Sequence, residues 1–533
     1  MKDTPEWWRG AVIYQIYPRS FQDDTGNGTG DLKGITRRLD YVAELGVDAI
    51  WISPFFTSPM ADMGYDVADH RNVDPSFGTL DDFEALTARA HELGLKVIID
   101  QVFSHSSEEH PFFIESRASR DNDKSDWYVW ADPKIDGSPP NNWQAIFGGP
   151  AWTWDVRRRQ YYFHQFLSAQ PDMNAHSPDV QDWILDTMRF WLDRGVDGFR
   201  LDAVNHYFHD LQLRDNPPDW REKTEPDYKP FEMQYPIYSK NQPENLVFME
   251  RVRALLDSYG ATMSVGEIGE GHHPVERLTE YSSPGRLHMG YTLALTGPDF
   301  TPAHIRKQVE GMFAEGLNGY PCWAMSSHDH NRPVTRWSKF AADQDAFAKL
   351  AGAILLSLQG GICVYQGEEL GLSDTQLTRD EIVDPEGMAF WPEVKGRDAS
   401  RTPMVWEAKA ANAGFSKANR TWLPTKAPQA ERAVDSQAGV EDSVLETFRA
   451  LMALRRDETA LRTGDTVFLD VPDPALACVR GGEIFCAFNI GTTPLALPDV
   501  TAGSMLIAER AKVTEAGLEL GPNGFWYGRL TDA

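Results

Sequence analysis

Short apolar runs recur along the first two thirds of the chain, and none alternates cleanly with polar positions. They are Val12–Tyr17, Ala49–Ser53, Lys96–Val102, Gly198–Asp202, Met263–Glu267, Leu287–Tyr291, Cys322–Ser326 and Gly361–Tyr365. Unbroken runs of this length read as strands buried on both faces. Between them lie helical patterns with clear punctuation. The spacing predicts a helix from about Asp179 to Arg194, with Ser177 as N-cap, Pro178 at the first position and Gly195 past the end. Its apolar positions Val180, Trp183, Ile184, Met188, Trp191 and Leu192 fall on one stripe that should press against a sheet. Eight strands alternating with helices make an α/β fold, a (β/α)8 TIM barrel, the leading architecture.

Two segments break the rhythm. Ser104 to Asn174 is rich in Trp, Asn, Pro and Gly and lacks helical periodicity. It is too long for a structureless loop, so a small inserted subdomain after strand three is expected. Beyond an amphipathic helix near Ser443–Arg456, short β-like runs such as Val467–Leu469 and Ile484–Asn489 suggest a C-terminal antiparallel β domain. The expected division is residues 1–103 and 175–460 for the barrel, 104–174 for the insert and 461–533 for the β domain.

Composition narrows the class without naming a chemistry. Hydrophobic residues make up 41% and charged residues 24%, an ordinary globular mixture. A formal charge of −28 repels phosphate backbones and anionic lipids, which argues against nucleic-acid or membrane partners. Cys322, Cys363, Cys478 and Cys486 have neither the number nor the spacing of a disulfide framework or a zinc site. The greasy stretch Leu350–Tyr365 is interrupted by Ser357, Gln359, Gly360 and Gly361, so it reads as buried helix and strand rather than a span. With no apolar leader visible at Met1–Trp8, a soluble, cytoplasmic protein is expected; its oligomeric state is left open.

In a barrel of this type, reactive groups gather where the strands end. Strand three leads to Asp100 and His105, strand four to Arg200 and Asp202, strand five to Glu267, and strand seven to His328 and Asp329. Beside Asp100, the three carboxylates Asp202, Glu267 and Asp329, from three further strands, therefore converge on one mouth. Packed like charges push at least one pKa upward, which suits a general acid near neutral pH. Arg200, two residues before Asp202, shares its face of the strand and should favour ionised Asp202 as a nucleophile. Any one of these acids is equally well read as a helix cap or a solvated loop residue; the set in this order is not.

These stretches carry a resemblance. Gly198-Phe199-Arg200-Leu201-Asp202-Ala203-Val204-Asn205-His206 resembles the second signature region of the α-amylase superfamily, glycoside hydrolase family thirteen. Asp100–His105 is similar to the first region, Val265–Ile268 to the third, Ser326–Arg332 to the fourth and Gln170–Asn174 to the fifth. Tyr17–Phe21, Met63–Asp66 and Gly396–Met404 resemble the α-glucosidase and oligo-1,6-glucosidase branch.

The resemblance implies Asp202 as nucleophile, Glu267 as acid/base and Asp329 as a brace for the distorted sugar. Glu267 should then have its pKa raised, to about 6. It further implies that His105 and His328 contact glucose hydroxyls, that Tyr65 stacks on the ring, and that Phe166 forms an aromatic wall. Asp62 and Arg397, chosen over Arg401 by motif alignment, match a pair that closes the pocket around a terminal glucose. In this branch the residue after the nucleophile marks linkage, Val going with α-1,6 bonds and Ala or Thr with α-1,4. Ala203 therefore points to short maltose-like substrates.

A retaining, exo-acting α-glucosidase is the expectation, with transglucosylation to acceptor alcohols. An oligo-1,6-glucosidase, a sucrose-acting hydrolase, and a sugar isomerase or trehalose synthase on the same scaffold are its neighbours. A Mg²⁺-dependent barrel lyase is the more distant alternative, disfavoured because Arg200 would repel the ion. No cofactor is expected for catalysis. The loop Asp23-Asp24-Thr25-Gly26-Asn27-Gly28-Thr29-Gly30-Asp31 has oxygen-bearing residues at alternate positions, resembling the front of an EF-hand loop. Asp23, Thr25, Asn27, Thr29 and Asp31 are thus candidate ligands for a structural Ca²⁺ or Mg²⁺, weakened by having few charges; the alternative is a hydrogen-bonded turn.

Overall fold

The computed structural model describes residues 4–222, 228–498 and 500–530. Eight parallel strands close into a barrel: β1 (Val12–Ile16), β2 (Ala49–Ile52), β3 (Lys96–Gln101), β4 (Gly198–Leu201), β5 (Met263–Glu267), β6 (Met289–Thr292), β7 (Pro321–Trp323) and β8 (Gly361–Tyr365). They run in sequence order around the barrel, with β8 paired to β1. The strands are buried along almost their whole length, which is why their sequences do not alternate. Trp51, Ile98, Val265, Met289, Tyr291, Cys322 and Cys363 share one core cluster drawn from six of these strands and β1, and helices cover the outside.

The unbroken apolar runs locate every barrel strand, with ends shifted by a few residues. The run expected over Leu287–Tyr291 forms Met289–Thr292, and that over Cys322–Ser326 forms Pro321–Trp323. After Trp323 the ladder gives way to a turn, in which the Ser327 hydroxyl accepts from the Asp329 N–H at 3.1 Å. The helix expected over 179–194 spans Pro178–Leu192. Ser177 occupies its N-cap position but makes no side-chain capping bond; Pro178 pre-sets the first turn instead. Val180, Ile184, Met188 and Trp191 of the predicted stripe are fully buried.

The stretch after β3 holds a helix, Pro111–Ala118, and a three-stranded antiparallel sheet of Trp130–Ala131, Trp152–Asp155 and Gln160–Phe163. The amphipathic helix spans Val444–Asp457, and its Ser443 hydroxyl accepts from the Glu446 N–H. Its buried Arg455 donates to the carbonyls of Leu356, Leu358, Gly360 and Leu461, tying the end of the helix Gln344–Ser357, just before β8, to the segment leaving the barrel. A six-stranded antiparallel sheet follows, from Thr466–Phe468 to Gly517–Arg529. All four cysteines are buried and unbridged, inside strands. Among the described residues, no helix is long and apolar enough to cross a membrane.

Candidate active site

Register assembles the site. Asp100 on β3 is paired with Arg200 on β4, and Arg200 in turn with Val265 on β5. Two residues on, at the strands' carboxyl ends, stand Asp202 and Glu267, so side chains of one parity point to the same mouth. Arg200 is fully buried and serves three carboxylates at once. Its Nη1 donates to Asp100 Oδ1 and Oδ2 at 3.0 and 3.2 Å and to Asp202 Oδ1 at 2.5 Å. Its Nη2 lies 2.8 Å from Glu267 Oε2.

One cation facing three acids leaves a surplus of negative charge if all ionise, and burial makes that surplus costly. Burial pushes Glu267 up to about 7, with Arg200 opposing and Asp202 adding to the rise. Burial also pushes Asp202 up to about 7 and Asp100 to about 6, again against Arg200. The sequence points to an ionised Asp202 beside its arginine. The structure instead divides that arginine among three partners, and the cluster keeps protons near neutrality as a unit.

Asp329 behaves in the opposite way. Burial alone would raise it, but His328, Arg401 and Arg397 hold it well below the usual carboxylate range. Burial pushes the His328 pKa itself well down, and the two guanidiniums are the permanent charges beside Asp329. Arg401 Nη2 donates to Asp329 Oδ1 at 2.8 Å and Arg397 Nη1 to the same oxygen at 3.2 Å.

A pocket of about 420 Å³ opens here, lined by Asp62, Tyr65, His105, Phe166, Asp202, Ala203, Glu267, Asp329 and Arg397 among others. At one end Arg397 Nη2 donates to Asp62 Oδ1 at 2.7 Å; it is this arginine, not Arg401, that reaches Asp62. Asp384, which the sequence does not single out, fixes Arg397 from behind at 2.5 Å. Gln170, from the fifth motif, bridges Asp62 Oδ2 and His105 Nε2 at 3.2 and 3.1 Å. Burial lowers the His105 pKa to about 4, so that ring is neutral at physiological pH.

Arg200 and His328 lie behind the pocket wall and are each 1% exposed. His328 Nε2 sits 2.7 Å from the Tyr65 hydroxyl and 3.1 Å from Asp329 Oδ2, and its ring stacks between Tyr17 and Tyr65. It is placed to orient those two groups. Ala203 adopts a left-handed backbone (φ 41°, ψ 43°), unusual for a residue with a Cβ, and its N–H donates to Glu267 Oε2 at 3.1 Å.

The loop after β1 is internally bonded. Asp23 accepts from the Thr25 hydroxyl, the Gly26 and Gly28 N–H groups and the Ser416 hydroxyl. Asp31 accepts from the N–H groups of Asp24, Thr25 and Gly34, and Asn27 Oδ1 from that of Thr29. Asp24 faces outward to Arg37. The oxygen-only donor set suits a hard cation, with two carboxylates to hold it; such an ion would compete with the N–H donors already in place. Among the described residues no group of three or more His, Cys, Asp or Glu side chains could hold a metal.

Acidic groups from three strand ends, set around a pocket closed by an ion pair, define a glycosidic-bond chemistry. Residues 15–464 match the family model "Alpha amylase, catalytic domain", and the chain belongs to that family. It is 52% identical over 494 residues to a "Probable alpha-glucosidase" of Rhizobium meliloti (strain 1021), covering 91% of this chain and 89% of that protein. It is 36% identical over 499 residues to an "Oligo-1,6-glucosidase" of Heyndrickxia coagulans, covering 86% and 87%. The crystal structure of an alpha-glucosyl transfer enzyme, XgtA, superposes with a TM-score of 0.93 at 50% identity, covering 98% of this chain and 99% of that one.

Proposed function

We propose that this glycoside hydrolase of α-glucosides is a retaining, exo-acting α-glucosidase that removes glucose from the non-reducing end of short α-1,4-linked substrates. Asp202 attacks the anomeric carbon while Glu267 gives its proton to the departing oxygen. The glycosidic bond breaks, and a glucosyl ester on Asp202 forms. Glu267, now ionised, takes a proton from water or a sugar hydroxyl, whose oxygen displaces Asp202 and restores both groups. Asp329, kept anionic by Arg397 and Arg401, stabilises the cationic sugar in both steps. Arg397 and Asp62 receive the terminal glucose at the closed end.

One observation carries this reading: a single guanidinium holds Asp202 and Glu267 at 2.5 and 2.8 Å. Two carboxyls tied to one group are near neighbours, as covalent retention needs at a separation of about 5–5.5 Å. Transfer to acceptor alcohols accompanies hydrolysis in this proposal, and the relatedness to a glucosyl transfer enzyme supports it. Incubation with maltose, isomaltose, sucrose, trehalose and maltotriose, followed by chromatography and NMR of the first product, tests the whole. Free α-glucose, fastest from maltose, is expected. β-Glucose would refute retention, and rearranged disaccharide as main product would replace hydrolysis by isomerisation.

A further inference from the structure

The rim of the pocket carries a second ion pair. Lys229 belongs to the long segment after β4, and Glu386 to the short helix Pro385–Phe390 in the segment after β8. In an eight-stranded barrel closed in sequence order, β4 and β8 lie diametrically opposite. Yet Lys229 Nζ and Glu386 Oε1 meet at 2.5 Å, and both residues line the pocket that holds Asp202, Glu267 and Asp329. Their side chains are 17% and 13% exposed, so the contact is half-shielded from water and salt. Glu386 is anchored from below, because Asp384 beside it accepts from Gly387 N and binds Arg397 at the closed end. Its charge also reaches His330, another lining residue.

Resting on the α-glucosidase reading, we infer that the Lys229–Glu386 pair is a strap across the open side of the pocket that sets how long a substrate the site accepts. A glucose held by Arg397 and Asp62, plus one leaving sugar, fits beneath the strap, where the ammonium and carboxylate can hydrogen-bond that sugar's hydroxyls. A chain of four units must cross the line of the contact and separate the pair. The pair therefore determines specificity through the leaving-group side of the pocket and takes no part in bond cleavage.

The experiment compares kcat/KM for maltotetraose and maltose in the wild type, Lys229→Met, Glu386→Gln and the double variant. Each single change should raise the maltotetraose-to-maltose ratio about fivefold, the scale of one partly shielded ion pair. Lys229 Nζ also lies 3.5 Å from Glu232, a contact that Glu386→Gln leaves in place, so the double variant should match Lys229→Met and add nothing further. Raising NaCl to high ionic strength should lift the ratio in the wild type but not in the variants, a response that a purely structural role would not give. A ratio unchanged by both single substitutions and by salt overturns the strap. Absence of glucose release from either sugar in the wild type would instead sink the α-glucosidase reading itself.

Discussion

Replacing Arg200 by Lys tests the idea that one guanidinium divides its charge among three acids. The substitution keeps a positive charge, but an ammonium is a compact point and cannot fill both the Nη1 and Nη2 positions. Nη1 bonds both oxygens of Asp100 and one of Asp202, so the ammonium should stay there. Glu267 is then left without its partner, the Nη2 group that sits 2.8 Å from Oε2 in the wild type. A hydrogen bond to a buried charged group contributes about 1.5–3 kcal/mol. At about 1.36 kcal/mol per pKa unit, its removal should raise Glu267 by about one to two units.

The sign is fixed: removing a cation favours the protonated carboxyl. If Glu267 is the general acid, the alkaline limb of kcat/KM moves up by about one to two pH units, while the acid limb, which belongs to the coupled Asp100–Asp202 side of the cluster, moves less. The maximum should fall as Glu267 loses its positioning. The profile of p-nitrophenyl α-glucoside hydrolysis from about pH 5 to about pH 10, with a thermal melt to verify folding, measures this. An alkaline limb that stays in place, or moves to lower pH, refutes the division of charge.

The remaining predictions are simpler. Asp202→Ala and Glu267→Gln should each lower kcat for maltose by at least about a thousandfold with unchanged melting, as expected when a nucleophile or a general acid is removed; near-normal rates would end their assigned roles. Ala203→Val should shift the kcat/KM ratio from maltose towards isomaltose and lower the melting temperature, because a β-branched residue fits the left-handed backbone less well than alanine. Among the described residues no cation pairs with Asp172, and burial raises its pKa from 3.8 to about 7 against the hydrogen bonds of Gln165. Stability is therefore lost as pH rises from about 4 to about 7, by at most on the order of 4 kcal/mol. Asp172→Asn should narrow the gap between melting temperatures at about pH 5 and about pH 8, and an unchanged gap would contradict the buried-acid argument. A structural Ca²⁺ or Mg²⁺ in the loop Asp23–Asp31 is a further proposal. Two carboxylates predict weak binding, so millimolar but not micromolar Ca²⁺ should raise the melting temperature by about a degree, and no response leaves the hydrogen-bonded turn.

The barrel is legible because burial on both faces leaves a signature in single residues: a strand such as Gly361–Tyr365 has no polar position to hide. The acids are legible for a related reason, since strand ends in a parallel barrel all face one way, and period two puts Arg200 and Asp202 on the same side. What the sequence withholds is contact between distant segments. Nothing in the spacing of Asp384 and Arg397 says that one fixes the other. Lys229 and Glu386 are 157 positions apart, one on a stretch between regular elements and the other on a helix too short to show a period. The protonation of Asp202 escapes the sequence for the same reason. Its neighbour along the chain is a cation, but only the folded register reveals that Asp100 and Glu267 compete for it.

That competition has a mechanistic consequence. A retaining glycosidase must hold one carboxyl ionised and the other protonated in the same small volume, and then reverse the state of the second within one turnover. A dedicated cation for each acid would lock both in the ionised form. A cation shared among Asp100, Asp202 and Glu267 keeps the proton's free energy nearly level across the cluster, with values from about 6 to about 7. In the mechanism proposed above, substrate entering the pocket would then decide where the proton sits: the leaving oxygen would take it from Glu267, and the anomeric carbon would draw on the negative charge of Asp202. Asp329 is separately clamped by Arg397 and Arg401, and in the same proposal it would stay anionic throughout and supply a constant field for that exchange.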